Sequence, residues 1–217
     1  MKDFGLYIVM TAPTLGYHAF TETCVQEEVP MLQLREKNLC DPKLLELARD
    51  LAQITKGSKT RFIINDRPDI AALCDADGLH LGPEDIAWQD ARHLLPKGKI
   101  LGVSTHSMTE AQSMIRQCKA EAEGYRPDYM SFGPIYPTVA KAIPDPPLGT
   151  ALLKQLMPSA IIPIVAIGGI FRHNLSEILS NGARNICMIR YFGAAVSSSE
   201  LSHKIHNIKS ALQEAIS

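Results

Sequence analysis

Little in the chain points to the commonest functional classes. Lysine and arginine number 22 against 23 acids, a formal charge of −1, so the chain as a whole does not attract nucleic acid or an anionic membrane, and any anion site must be local. Cysteines 24, 40, 74, 118 and 187 form no C-x-x-C pair and no zinc-ligand spacing. An odd, scattered set inside apolar segments suits reduced, buried thiols in a cytoplasmic protein. The first residues, MKDFGLYIVMTAP, lack the apolar core and cleavage site of a signal peptide, and no apolar run is long enough to span a bilayer. No linker, low-complexity tract or charge run divides the chain. A G-x-G-x-x-G fingerprint is also missing after the first apolar run, where Pro13-Thr14-Leu15-Gly16 stands. That argues against an open doubly wound sheet with a dinucleotide site.

What is present is a repeating rhythm. With 46% hydrophobic and 21% charged residues among 217, the chain can bury a large core. Apolar runs recur every 20 to 30 residues or so, and they predict strands at Gly5–Thr11, Met31–Arg35, Arg61–Asn65, Gly78–Leu81, Ile100–Ser104, Tyr129–Phe132, Ile162–Ala166 and Asn185–Ile189. Helical patterns fall at Ala19–Glu28, Pro42–Thr55, Arg67–Cys74, Ala87–Leu94, Met108–Glu123, Thr150–Met157, Leu175–Asn181 and Leu201–Ile216. Eight alternating β and α units in a chain of this length predict one α/β domain over residues 1–217, a (β/α)₈ TIM barrel.

In such a barrel the chemistry lies at the C-terminal ends of the strands. Asp66 follows the third strand and Asp85 the fourth, so two carboxylates face one another across the rim. A pair of this kind can hold Mg²⁺, with water and substrate phosphate completing the shell. Taken singly, Asp66 reads as a helix N-cap and Asp85 as a solvated loop acid. The second strand ends Gln33-Leu34-Arg35-Glu36-Lys37, and alternation places Gln33, Arg35 and Lys37 on one side, an amide and two cations suited to an anion. Asn65, Ser104, Thr138 and Lys141 follow later strands, the last two from a proline-rich stretch over 134–149. His106 reads as a structural histidine. Gly168-Gly169 after the seventh strand and Ile189-Arg190 after the eighth occupy the usual place of a phosphate cradle. No nucleophile stands paired with a base. Chemistry that needs only a stabilised leaving group fits this rim best.

The motifs QLREK, IINDRPDIA, ADGLHLGPED, GVSTHS, FGPIYPT followed by Lys141, and PIVAIGGI occur in that order over nearly the whole chain. This set resembles the thiamine phosphate synthase family, a group related to thiazole tautomerase. The resemblance implies a (β/α)₈ barrel joining hydroxymethylpyrimidine diphosphate to thiazole phosphate, with Mg²⁺ on Asp66 and Asp85. It implies that Gln33, Arg35, Lys37, Asn65, Ser104 and Lys141 hold the pyrimidine diphosphate. Arg35, Lys37, Ser104 and Lys141 take the catalytic part, and Thr138, Gly168, Ile189 and Arg190 hold the thiazole phosphate. Its partners are those small molecules, with no nucleic acid and no membrane, and a homo-oligomer is compatible with it. The family's T-x-T-K reads Thr138-Val139-Ala140-Lys141 here, and Arg190 stands where a small residue is usual. A tautomerase-like isomerase and a catalytically silent barrel that binds thiamine precursors are the competing readings.

Overall fold

The computed structural model describes residues 2–138 and 145–215. Its eight strands are β1 (Leu6–Met10), β2 (Met31–Leu34), β3 (Arg61–Asn65), β4 (Gly78–Leu81), β5 (Ile100–Thr105), β6 (Tyr129–Phe132), β7 (Ile164–Ile167) and β8 (Asn185–Met188). Each pairs in parallel with its sequence neighbour, and β8 returns to pair with β1, so the sheet closes on itself. The helices are α1 (Tyr17–Gln26), α2 (Asp41–Thr55), α3 (Pro68–Leu73), α4 (Trp88–Leu94), α5 (Met108–Ala120), α6 (Gly149–Leu156), α7 (Leu175–Ser180), α8 (Arg190–Gly193) and α9 (Ser198–Glu214).

The strands are apolar on both faces because both faces are covered, as a parallel barrel demands. Even-numbered side chains of β1 and β2, such as Ile8, Met10, Leu32 and Leu34, pack outward into the shell shared with the helices. Odd-numbered ones, Tyr7, Val9 and Met31, join Ile63, Tyr129, Val165 and Cys187 inside the barrel. The N-terminal end of the barrel is shut by Phe4, whose ring meets Tyr7 and Tyr129 edge-on. Asn185 holds that plug: its Oδ1 accepts from the Phe4 and Gly5 amides at 2.7 and 3.1 Å, and its Nδ2 donates to Asp3 and to the Ile164 carbonyl. Near the same end Arg92 of α4 donates to Asp128 at 2.6 Å and to the Lys99 carbonyl at 2.8 Å, while Asp128 accepts the Leu101 amide, tying β5 to the turn before β6.

Helix starts follow the local chemistry. Ser107 and Ser197 cap α5 and α9 by accepting from the Glu110 and Glu200 amides, and those glutamates reach back to the amides of His106 and Val196. Proline opens α3 and takes the second position of α2, where its missing N–H costs nothing. The seventh strand begins at Ile164 rather than Ile162, because Pro163 has no N–H to give a ladder. The eighth ends at Met188, and the turn α8, too short to leave a periodic signal, takes up Arg190.

Candidate active site on the C-terminal rim

The acids after β3 and β4 meet, and the backbone is bent to bring them there. Asp66 sits in the left-handed region at φ 64°, its N–H bonded to the His80 carbonyl at 2.8 Å, while the Arg67 N–H closes back on Asn65. It does not cap α3, whose cap position belongs to Arg67. A non-glycine residue in that conformation is uncommon and costs on the order of 1 kcal/mol. What it achieves here is the direction of a carboxylate. Asp66 takes the Lys37 ammonium at 3.1 Å. Asp85 is held in the loop after β4 by the Gly82 amide, 2.7 Å from its Oδ2. Partial burial pushes the Asp85 carboxyl up to about 6; the Gly82 amide opposes this, the facing Asp66 carboxylate adds to it, and Lys37 opposes it in turn. Two acids near enough for one to disturb the other, beside a lysine, form a hard-oxygen site short of ligands. Among the described residues no cluster of three or more His, Cys, Asp or Glu could hold a metal. Such a pair suits Mg²⁺, which keeps several waters and substrate oxygens, and would not make an all-protein cage.

Alternation does turn Gln33 into the barrel, where it is 3% exposed and donates to the Tyr7 hydroxyl at 2.6 Å. Arg35 and Lys37 lie beyond the last residue of β2, which ends one residue short of the expected strand Met31–Arg35, although the Arg35 N–H still bonds the Met10 carbonyl of β1 at 2.9 Å. Lys37 is placed by Asp66. Asn65 ends β3 two residues after the interior Ile63, and Ser104 stands in β5 opposite Ser131 of β6.

Ser104 is reached through residues that the sequence reading passed over. Its Oγ lies 2.9 Å from His80 Nε2, and His80 Nδ1 lies 2.9 Å from the Tyr129 hydroxyl, which meets Tyr7 at 2.8 Å. Burial lowers the His80 imidazole to about 4, against the opposing charge of Asp66 and with a further push from His106, so the ring is neutral. Burial likewise holds the Tyr7 and Tyr129 phenols well above their ordinary range. The room for Tyr129 comes from Gly102, since a Cβ there would lie 2.0 Å from the tyrosine's Cζ. The signal was in the strands all along: Tyr7, His80 and Tyr129, with Ser131, are the polar members at inward positions of LYIVM, GLHL and YMSF. His106 lies 3.8 Å from Glu110 and 4.0 Å from Asp145.

The loops after β6 to β8 complete the rim. Thr138 is half-buried at the edge of the described chain, and Lys141 and Ala140 lie outside the described residues. The base of that loop is tied: Leu148 N–H to the Pro134 carbonyl, Gly149 N–H to that of Ile135, and Tyr136 and Thr150 both donating to Glu177. Gly168, at φ 96°, lets the turn after β7 press on this base, because a Cβ would fall 2.5 Å from Pro134. Ile189 packs against the barrel interior. Arg190 opens α8, is exposed, and lays its guanidinium 5.4 Å above the Phe171 ring. The eighth strand ends at Met188 rather than at the expected Ile189, and the Arg190 side chain, in the turn of helix that follows, stacks across the rim.

A closed parallel barrel whose C-terminal rim carries paired acids, flanking cations and a glycine turn has the layout of a barrel enzyme for anionic substrates. The sequence profile of the family described as thiamine monophosphate synthase matches residues 6–192. A thiamine-phosphate synthase of Halalkalibacterium halodurans is 38% identical over 192 residues, 87% of each protein. One from Methanocella arvoryzae is 34% identical over 99% of this chain and 93% of its own. Among solved structures, a thiamine phosphate pyrophosphorylase from Pyrococcus furiosus superposes with a TM-score of 0.83 at 26% identity, covering 99% of this chain and 98% of that one. The chain belongs to the thiamine monophosphate synthase family.

Proposed function

We propose that the protein is a thiamine-phosphate synthase, a transferase that moves a pyrimidinylmethyl group from its diphosphate to the ring nitrogen of a thiazole phosphate and releases diphosphate. The observation that carries the mechanism is the meeting of Asp66 and Asp85, with Lys37 on Asp66. Bound between these acids, Mg²⁺ would neutralise charge on the diphosphate. Lys37, Arg35 and Lys141 provide cations for the same group, and a departing diphosphate gains more from them than the bound ester does, which is where a rate is made. Gln33, Asn65 and Ser104 hold the pyrimidine half. Thr138, Gly168, Ile189 and Arg190 line the side toward which the thiazole phosphate comes, with Arg190 offering charge from its seat on Phe171. No general base is required, because the thiazole nitrogen attacks with its own lone pair, and positioning the two rings supplies much of the acceleration.

The metal acids and the Gly133-Pro134 pair count against the sister tautomerase, in which a histidine usually follows that glycine. No described helix is long and apolar enough to cross a membrane. All five cysteines are free and four are buried, which supports a reducing cytoplasm as the compartment. The test is turnover with both substrates and Mg²⁺, in the wild type and in Asp66→Ala and Asp85→Ala. Thiamine phosphate should form in the first and fail in the others, while all three keep a folded circular dichroism spectrum. Near-normal activity in either variant would remove the metal from the scheme.

A further inference from the structure

The barrel interior holds an unbroken row of hydrogen-bonding groups whose middle members the scheme above does not use. It runs from Gln33 Nε2 to Tyr7 Oη (2.6 Å), on to Tyr129 Oη (2.8 Å), to His80 Nδ1 (2.9 Å), and from His80 Nε2 to Ser104 Oγ (2.9 Å). Ser131 adds its own hydroxyl to Ser104 at 3.3 Å. Tyr7 and Tyr129 are completely buried, and His80 nearly so. Gln33 and Ser104, the two ends, are residues that the proposed function sets on the pyrimidine substrate, so this inference rests on that reading.

Such a row has only two proton arrangements. A phenol has one proton, so a tyrosine with two partners must accept from one and donate to the other. A neutral imidazole likewise carries one N–H and one bare nitrogen. If Tyr7 donates to Tyr129, then Tyr129 donates to His80 Nδ1, the imidazole proton lies on Nε2, and it is given to Ser104. Ser104 also accepts from Ser131, and its own proton is left for the mouth of the barrel. In the reverse arrangement Ser104 spends its proton on His80, and the Tyr7 proton must find an acceptor at Gln33. Gln33 presents its nitrogen to Tyr7, so that proton would be buried without a partner, at a cost comparable to a lost hydrogen bond or more. The first arrangement gives each tyrosine proton and the imidazole proton an acceptor.

We propose that Tyr7, Tyr129 and His80 are positioning residues that fix Ser104 as a hydrogen-bond donor and Gln33, through its Oε1, as an acceptor toward the pyrimidine. The two ends are linked, because inverting one requires inverting every bond between them and turning the Gln33 amide. An aminopyrimidine matches this polarity, offering ring nitrogens that accept and an exocyclic amine that donates. Its oxo counterpart carries a carbonyl and a ring N–H at the corresponding edge, and meets both ends the wrong way round. The row is therefore a device for selecting the amino ring, built from residues that do not touch it.

Two measurements test this. Steady-state turnover is compared for an aminopyrimidine diphosphate and its oxo analogue in the wild type, Tyr129→Phe, Ser104→Ala and the double variant, with Tyr7→Phe breaking the same row should Tyr129→Phe not fold. Tyr129→Phe should lower kcat/KM for the amino substrate by roughly 3- to 10-fold, the size of one hydrogen bond, and lower it less for the oxo analogue. The double variant should lose less than the product of the two single losses. Equal losses on both substrates, or losses that simply multiply, overturn the relay. The second measurement needs no turnover: ¹⁵N shifts of the imidazoles in the ligand-free protein, with His80 assigned by its disappearance in His80→Asn. An Nε2–H tautomer supports the relay and an Nδ1–H tautomer overturns it. Absence of any thiamine phosphate from the wild type would sink the functional reading alone, leaving the tautomer to decide the relay.

Discussion

Asp85→Asn should make the metal-free protein more stable while removing its response to Mg²⁺. The wild-type carboxyl titrates at about 6 in the folded chain, above the ordinary carboxylate value of 3.8, because it is partly buried and faces Asp66. At pH 7.5 the group is ionised whether the chain is folded or not, so the folded state bears the cost of that raised value. An asparagine keeps an oxygen for the Gly82 amide, leaves the Lys37–Asp66 pair in place and carries no charge. After solvent screening of a partly exposed group, the relief is roughly 1 kcal/mol, equivalent to a melting temperature about 2–4 °C higher for a chain of this size. The sign with pH follows from the direction of the shift. A raised folded value means that the native state binds the proton more tightly, so the wild type gains on the variant as pH falls from 7 through 6 toward 4, and the gap closes. With Mg²⁺ at a hundred times its dissociation constant, the wild type should gain about 2.7 kcal/mol and the variant almost nothing. Thermal melts at several pH values, with and without Mg²⁺, read all of this. A variant that melts below the wild type without metal at pH 7.5, or that still responds to Mg²⁺ in full, would refute the reasoning.

Two further outcomes follow from the packing. Gly102→Ala places a methyl 2.0 Å from the Tyr129 ring, an overlap that must push the ring out of the barrel. The expected cost is about 1–3 kcal/mol by thermal melt, with a fall in kcat/KM resembling that of Tyr129→Phe; a variant as stable and active as the wild type would show that Tyr129 moves freely. Arg92→Ala leaves Asp128, at the opposite end of the barrel, with the Leu101 amide but no cation, and should cost about 1–3 kcal/mol of stability in denaturant unfolding while KM at the distant rim is unchanged.

The element order was legible because the strands are largely buried on both faces, so apolar runs and their spacing carried the barrel directly. Strand positions held to within a residue or two, failing where a single residue vetoed the ladder, as Pro163 did. The site was legible where it depended on position after a strand: Asp66 and Asp85 meet as their placement required. It was not legible where it depended on the third dimension. No spacing in sequence joins Tyr7 to Tyr129 across 122 residues, and nothing in the string marks His80 as the link between a phenol and Ser104. The eighth strand was drawn one residue too long, through Ile189, for a different reason. A run of four apolar residues gives no sign of whether the next one extends the strand or opens a turn of helix, and here the stacking surface of Phe171 accompanies the turn.

The closure of β8 on β1 has a consequence for how the chain must be made. The first strand waits for residues some 180 positions further on before its free edge is covered, and the Phe4 and Gly5 amides wait for Asn185. Until then a nascent chain carries two open, apolar edges of parallel sheet, the surfaces most prone to pair with a stranger. A protein shortened before β8 would not be a smaller barrel. It would be an adhesive curl of sheet, and the slow, long-range joining of the two edges is the step at which folding competes with aggregation.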